Sequence, residues 1–237
     1  MSAAALLLPA AMHGLLPLVL LSASSLLFLT ATTNADNLRF YMSSDCPADD
    51  TNYTRGGAFQ ANIDAILSSL PAAAAASSGF AKDVTGSAPE QAYGLAQCRG
   101  DISASDCRAC LSDSAREMAS KCPGQKSAVL IYEGCLLRLS NASFFGEADA
   151  SNPLYMCDPD NATEPRFAAS LDALMHGLAE EASGSPRMFA AGSANLTLYD
   201  KIYGMAQCTR DLGPDDCQGC LANAVRKIQA YKNCSGR

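Results

Sequence analysis

The pattern Cys-x8-Cys-x2-Cys occurs twice, at Cys98, Cys107 and Cys110 and again at Cys208, Cys217 and Cys220, 110 residues apart. The match extends beyond the cysteines. Ala92-Tyr93-Gly94-Leu95-Ala96-Gln97-Cys98 answers Ile202-Tyr203-Gly204-Met205-Ala206-Gln207-Cys208, and Asp106-Cys107 and Cys110-Leu111 answer Asp216-Cys217 and Cys220-Leu221. Upstream, Cys46 lies 52 residues before Cys98, and Cys157 lies 51 before Cys208. Solenoid repeats run about 20–50 residues, so a unit of this length is a domain. The chain is therefore expected to fold as two tandem domains, 36–147 and 151–237, with a seam of small and polar residues near 146–151.

The first 35 residues hold no Asp, Glu, Lys or Arg, and Leu15 to Leu29 form an almost unbroken apolar run ahead of Thr33-Asn34-Ala35. That reads as a secretory signal peptide over 1–35, cleaved after Ala35. The alternative, an uncleaved anchor, would need about 20 apolar residues, and the run is shorter, with Pro17 at its start. The remaining 202 residues carry the whole net charge of −7 and no second apolar run of spanning length. An acidic chain without a basic cluster is a poor partner for nucleic acid or an anionic membrane. Asn52, Asn141, Asn161, Asn195 and Asn233 each begin an Asn-x-Ser/Thr sequon, which agrees with export and N-glycosylation. In an oxidising compartment the 11 cysteines are read first as disulfides.

Phe59, Ile63, Ile66, Leu67 and Leu70 recur at helical spacing, and Pro71 is expected to end that helix. Phe167, Leu171, Leu174, Met175 and Leu178 correspond in the second unit. A second helix should begin beside Cys107, with Ser105 or Asp106 as N-cap, and turn Cys107, Cys110, Leu111, Ala115 and Met118 inward. Leu38 to Tyr41 reads as extended, and Ala128–Tyr132 and Leu136–Leu139 read as strands. The fold class is α+β, with helices packed on an antiparallel sheet. So small a core is marginal alone. A bridge closing a loop of about 75 residues adds on the order of 4 kcal/mol.

The two Cys-x-x-Cys pairs could in principle ligate zinc, but they fall in separate domains, and His176 is the one histidine outside the leader. A redox pair at a helix N-terminus is the sharper rival, since the helix dipole lowers a thiol pKa. Against it, each pair has a third cysteine nine residues upstream and no βαβ pattern around it. Hydrolysis would have to use His176, set among Leu174, Met175 and Leu178. The carboxylate pairs Asp49-Asp50, Glu180-Glu181 and Asp215-Asp216 read as solvated faces. Arg99-Gly100-Asp101 spells an adhesion tripeptide that the second copy lacks. No catalytic residue, metal site or cofactor is expected.

The run Tyr-Gly-x-Ala-Gln-Cys, the cysteine spacing and Gly134-Cys135-Leu136-Leu137-Arg138-Leu139-Ser140-Asn141-Ala142-Ser143-Phe144-Phe145 closely resemble the plant ginkbilobin-homologous domain, also called the stress-antifungal domain. Two such domains after a leader resemble a cysteine-rich repeat secretory protein. The resemblance implies a five-stranded antiparallel sheet, two helices and three disulfides per domain. Carried onto this chain, it implies Cys46–Cys122, Cys98–Cys107 and Cys110–Cys135, then Cys157–Cys234 and Cys208–Cys217. Cys220 is left without a partner, because the segment answering Ala128 to Phe145 has no counterpart before Arg237. It is expected to be a free thiol over an uncovered sheet edge, available to bridge two copies.

The resemblance further implies a secreted, non-enzymatic binding protein of the apoplast, active in plant stress or defence signalling. Its partner would be an extracellular protein or a cell-wall glycan. A direct antifungal effector is the alternative, and an exported thiol–disulfide oxidoreductase a third reading. The family's mannose-binding Asn, Arg and Glu fall on Pro47, Val129 and Ser140, none of which matches; the first falls on Asp158 in the second unit.

Overall fold

The computed structural model describes residues 35–47, 52–149 and 166–230. The first repeat runs α1 (Ala35–Leu38), β1 (Tyr41–Asp45), α2 (Ala58–Ala76), β2 (Phe80–Thr85), β3 (Ala92–Cys98), α3 (Ala104–Lys121), β4 (Ala128–Tyr132) and β5 (Cys135–Ser140). The second runs α4 (Phe167–Gly184), β6 (Phe189–Asn195), β7 (Lys201–Gln207) and α5 (Pro214–Ala230). The chain is α+β. The first sheet is antiparallel in the order β1-β4-β5-β3-β2, and among the described residues the second is the β6-β7 pair.

Each repeat has its own core. In the first, Phe59, Ile63, Ile66 and Leu70 of α2 and Cys107, Cys110, Leu111 and Met118 of α3 close over the inner face of the sheet. The second core gathers Phe167, Leu171, Met175 and Leu178 of α4 with Ile202 and Ala206 of β7 and Leu221 and Val225 of α5. Gly94 and Gly204, the glycines of the repeated Tyr-Gly, sit where these helices cross the strands. A Cβ at Gly94 would collide with Ile66 and Leu70, and one at Gly204 would crowd Leu178 and Met175. The glycine therefore sets how closely helix and strand approach.

Three local expectations are corrected. Pro71 does not end α2; it lies inside the helix, which continues to Ala76. Proline forfeits one backbone hydrogen bond, but its ring is buried and the alanines after it are strong helix formers. The stop comes at Ser78 and Gly79, both at positive φ, with the Gly79 N–H donating to the Ala74 carbonyl (2.8 Å). The N-cap of α3 is Ser103, whose Oγ accepts from the Asp106 N–H, so Ser105 and Asp106 fall inside the first turn. Leu38 closes the one-turn α1, and the extended segment begins at Tyr41.

Among the described residues four disulfides pin this frame. Cys46–Cys122 joins the end of β1 to the end of α3, Cys98–Cys107 joins β3 to the start of α3, and Cys110–Cys135 joins α3 to the start of β5. Cys208–Cys217 repeats the second of these. Cys157 and Cys234 lie outside the described residues.

Candidate functional site

Strand alternation turns Ala92, Gly94, Ala96 and Cys98 toward the helices, which leaves Tyr93, Leu95 and Gln97 on the outer face of the first sheet. In register with Leu95 across that face run Lys82, Arg138, Val129 and Asp45. The outer face meets the second repeat, and the contact is reciprocal. Gln97 Nε2 donates to the Cys208 carbonyl (2.7 Å), while its Oε1 accepts from the Arg210 N–H (2.8 Å). Gln207 Nε2 donates to the Cys98 carbonyl (2.9 Å), and its Oε1 accepts from the Gly100 N–H (3.2 Å). Gln97 and Gln207 are the same position of the repeat, as are Gly100 and Arg210, so the two units meet across a local pseudo-two-fold axis. The aromatic pair obeys the same relation: Gly100 lies against the Phe189 ring, and the Arg210 guanidinium sits 5.5 Å from the centre of Phe80.

The segment after β5 folds back over the same face. Phe145 packs edge-on to Tyr93 and lies beneath the Lys82 ammonium, and Phe144 stacks under the Arg138 guanidinium (4.2 Å). The Gly146 N–H then donates to Asp211 Oδ2 (2.9 Å), tying this segment to the second repeat.

Beside the clamp a cleft of about 190 Å³ opens between the repeats. Val129, Ile131 and Leu136 make its floor, Arg138, Glu147 and Asp149 its charged rim, and Met205, Leu212 and Cys220 its far wall. Arg138 lies 3.6 Å from Asp149. At one end Arg99 bridges Asp101 and Glu133 (2.7 Å each). A guanidinium and carboxylates over an apolar floor can hold a polar ligand by hydrogen bonds while an apolar face of it rests below.

The described units match the salt stress response/antifungal family model over residues 45–142 and 156–237. The chain belongs to the salt stress response/antifungal family. Among relatives, it is 35% identical to an antimicrobial ginkbilobin-2-like protein of Castanea crenata, covering 86% of this chain and 84% of that one. It is 32% identical to cysteine-rich repeat secretory protein 38 of Arabidopsis thaliana, covering 90% and 84%. The tandem DUF26 ectodomain of the Arabidopsis thaliana cysteine-rich receptor-like protein PDLP8 superposes with a TM-score of 0.72 at 28% identity, over 81% of this chain and 88% of that one.

In this family member the cysteines of each Cys-x-x-Cys are not joined to each other. Cys107 and Cys110 bond Cys98 and Cys135, while Cys217 bonds Cys208 and Cys220 is a buried thiol. Burial raises the Cys220 pKa. Asn52, Asn141 and Asn195 are exposed; Asn161 and Asn233 lie outside the described residues, as do Asp49, Asp50 and Asp158. His176 is on the exposed side of α4, 3.3 Å from Asp172, and Glu180, Glu181, Asp215 and Asp216 are exposed. Among the described residues no cluster of His, Cys, Asp and Glu could hold a metal ion, and no helix is long and apolar enough to cross a membrane. The Arg99-Gly100-Asp101 run is turned inward on itself: its two charges bind each other and its glycine packs on Phe189.

Of the positions answering the mannose-binding residues, Val129 lies on the cleft floor between Asp45 and Arg138 in strand register. Ser140 Oγ is occupied by Ser127 Oγ and the Ala142 N–H. The clamp residues Gln97 and Gln207 and the cleft residue Arg138 were not singled out by sequence reasoning. A signal existed for the glutamines, since both repeats spell Ala-Gln-Cys.

Proposed function

We propose that this protein is a secreted, non-enzymatic binding protein of the plant apoplast, acting in stress or defence signalling, with its ligand held in the inter-repeat cleft. The observation that carries this reading is the cleft itself: a site that neither repeat makes alone, with Arg138, Glu147 and Asp149 over an apolar floor. Its volume is below the roughly 300–1,000 Å³ of sites that enclose a drug-sized ligand. It suits the end unit of a cell-wall glycan, whose hydroxyls would meet the rim and whose apolar face would meet Val129 and Leu136. Export supports the reading through the apolar leader and the exposed sequons at Asn52, Asn141 and Asn195.

A glycan array probed with the purified mature protein tests it. Binding to a defined glycan that is lost in Arg138→Ala is the expected result; no glycan bound, or binding indifferent to Arg138, overturns it. A second reading, direct action on fungal walls, is favoured by the 35% identity to the antimicrobial relative. It is separated by a hyphal growth assay, in which a signalling protein leaves growth unchanged. Thiol–disulfide exchange is disfavoured, because that chemistry needs the two sulfurs of one Cys-x-x-Cys to bond each other, and here Cys107 and Cys110 are held by different partners.

A further inference from the structure

The hairpins β2-β3 and β6-β7 hold the same place in the two repeats, but their tips are built differently. The tip of the first, 86–91, exposes small and polar residues, with Ser87, Ala88 and Pro89 outermost. The tip of the second carries Leu198 and Tyr199, each 94% exposed, the most exposed large apolar side chains among the described residues. A bonded turn holds them out. Thr197 Oγ1 accepts from the Tyr199 N–H (3.1 Å) and the Asp200 N–H (3.0 Å) and donates to Asp200 Oδ2 (2.8 Å). The Leu196 N–H donates to the Asp200 carbonyl (2.9 Å). Leu196 itself is buried in the second core, and its carbonyl accepts from Arg166 Nη2 (2.7 Å).

The fold of a repeat does not cover this place. The first repeat carries a five-stranded sheet and its tip is still bare, so strands added beside β7 would leave the second tip bare as well. A second observation names the cover. Asn195, the last residue of β6, is exposed and begins the sequon Asn195-Leu196-Thr197, three residues before Leu198. Phe80 pairs with Gln97 as Phe189 pairs with Gln207, so the residue answering Asn195 in the first repeat is Gly86. That tip has no sequon and no large apolar pair; this one has both. The two features are present together and absent together.

We propose that Asn195 carries an N-linked glycan whose first N-acetylglucosamine rests on Leu198 and Tyr199. One face of that sugar is lined by C–H groups, which the electron-rich face of a tyrosine ring attracts, while its hydroxyls and the outer sugars stay in water. The glycan thereby shields an apolar tip that would otherwise invite association between molecules. The donor is a lipid-linked oligosaccharide diphosphate. Asn195 Nδ2 bonds the anomeric carbon of the first sugar, and that carbon's bond to the diphosphate oxygen breaks. The diphosphate leaves with the bonding electron pair, and the nitrogen gives up one proton. Thr197 supplies the hydroxyl the sequon requires. In the folded chain this hydroxyl is tied into the turn, so transfer precedes closure of the turn.

The test uses the full chain secreted by a eukaryotic host. Glycopeptide mass spectrometry should find Asn195 occupied. Nuclear magnetic resonance should place protons of the first sugar against the Tyr199 ring, with ring-current shifts that vanish in Tyr199→Ser; both side chains are exposed, so that variant folds. Asn195→Gln should lower the folding constant about two- to fivefold, the range of one cross-strand side-chain contact, and should bind more of an apolar dye. In the Tyr199→Ser background the same substitution should change the folding constant far less. A bare Asn195, sugar protons indifferent to Tyr199, or equal losses in the two backgrounds overturn the proposal. So does equal dye binding with and without the glycan, the outcome expected of a tip kept bare for a partner protein. The proposal rests on export, and Asn52 and Asn141 separate the two failures. Glycans there with Asn195 bare refute the proposal alone, while three bare sequons count against export as well. None of these outcomes bears on glycan binding through Arg138, which is read separately.

Discussion

Replacing Gln97 by alanine should uncouple the two repeats. Gln97 is 5% exposed, and its amide serves two backbone groups of the other repeat, the Cys208 carbonyl at 2.7 Å and the Arg210 N–H at 2.8 Å. Cys208 is 2% exposed, so its carbonyl loses its partner where water has poor access; Arg210 is half-buried, and its N–H rehydrates more readily. An orphaned buried acceptor costs about 1–3 kcal/mol and a lost ordinary hydrogen bond about 0.5–1.5, giving about 1.5–4.5 kcal/mol for the substitution. Gln97→Glu is the sharper control. It keeps an acceptor for Arg210 but sets a carboxylate against the Cys208 carbonyl, and should cost at least as much as alanine. Urea unfolding with disulfides intact, followed by far-ultraviolet circular dichroism because the chain has no tryptophan, reads the effect. The wild type should unfold in one transition and Gln97→Ala in two. Gln207→Ala should be strongly non-additive with it, since the first substitution opens the interface that the second needs. A loss below about 0.5 kcal/mol, within the range of surface changes, or strict additivity of the two variants, would refute the clamp.

Four other outcomes follow from the same geometry. Gly100→Ala places a methyl inside the Phe189 ring and should cost about 1–3 kcal/mol by overpacking, with Phe189→Leu restoring part of it in a thermal melt. Removing the Cys110–Cys135 bridge, a separation of 25, by alanine at both positions should cost about 3–4 kcal/mol in the chain-entropy account, whereas Cys220→Ala at the matching position should cost about 1 kcal/mol. Burial raises the Cys220 thiol above its ordinary value of 9.0, so the folded state holds that proton more tightly than the unfolded chain does. Stability is full below pH 9.0 and declines as pH rises through the raised value, and denaturation across alkaline pH should show this limb flattened in Cys220→Ser. Tyr132, also raised by burial and then by its hydrogen bond to Glu117, should add a second decline above 10.0 that Tyr132→Phe removes.

The α+β class and the inward faces of α2, α3 and α4 were legible because a 3.6-residue period concentrates large apolar side chains on one side of a helix. The strands β2 and β3 were harder to read. Phe80–Thr85 alternates weakly, and Ala92–Cys98 carries glycine and alanine in a central strand, residues with low strand propensity. Those small residues are there because α2 lies against them, a fact about packing. Pro71 misled for a related reason: its cost is local, and it is outweighed by the burial of its ring within the fold.

By itself the sequence determined that the fold is duplicated and which helix faces point inward, since these follow from spacing along one chain; the pairing that leaves out Cys220 was implied by the family resemblance, and Cys220 is a buried free thiol among the described residues. Only the tertiary structure decided that the two units meet through Gln97 and Gln207, that Phe144 and Phe145 fold over the outer face, and that a charged cleft opens beside them. The physical reason lies in the partners. Each glutamine bonds backbone carbonyl and amide groups more than 100 residues away. Every residue type except proline offers both of those groups, so no residue type in the sequence marks where they will be.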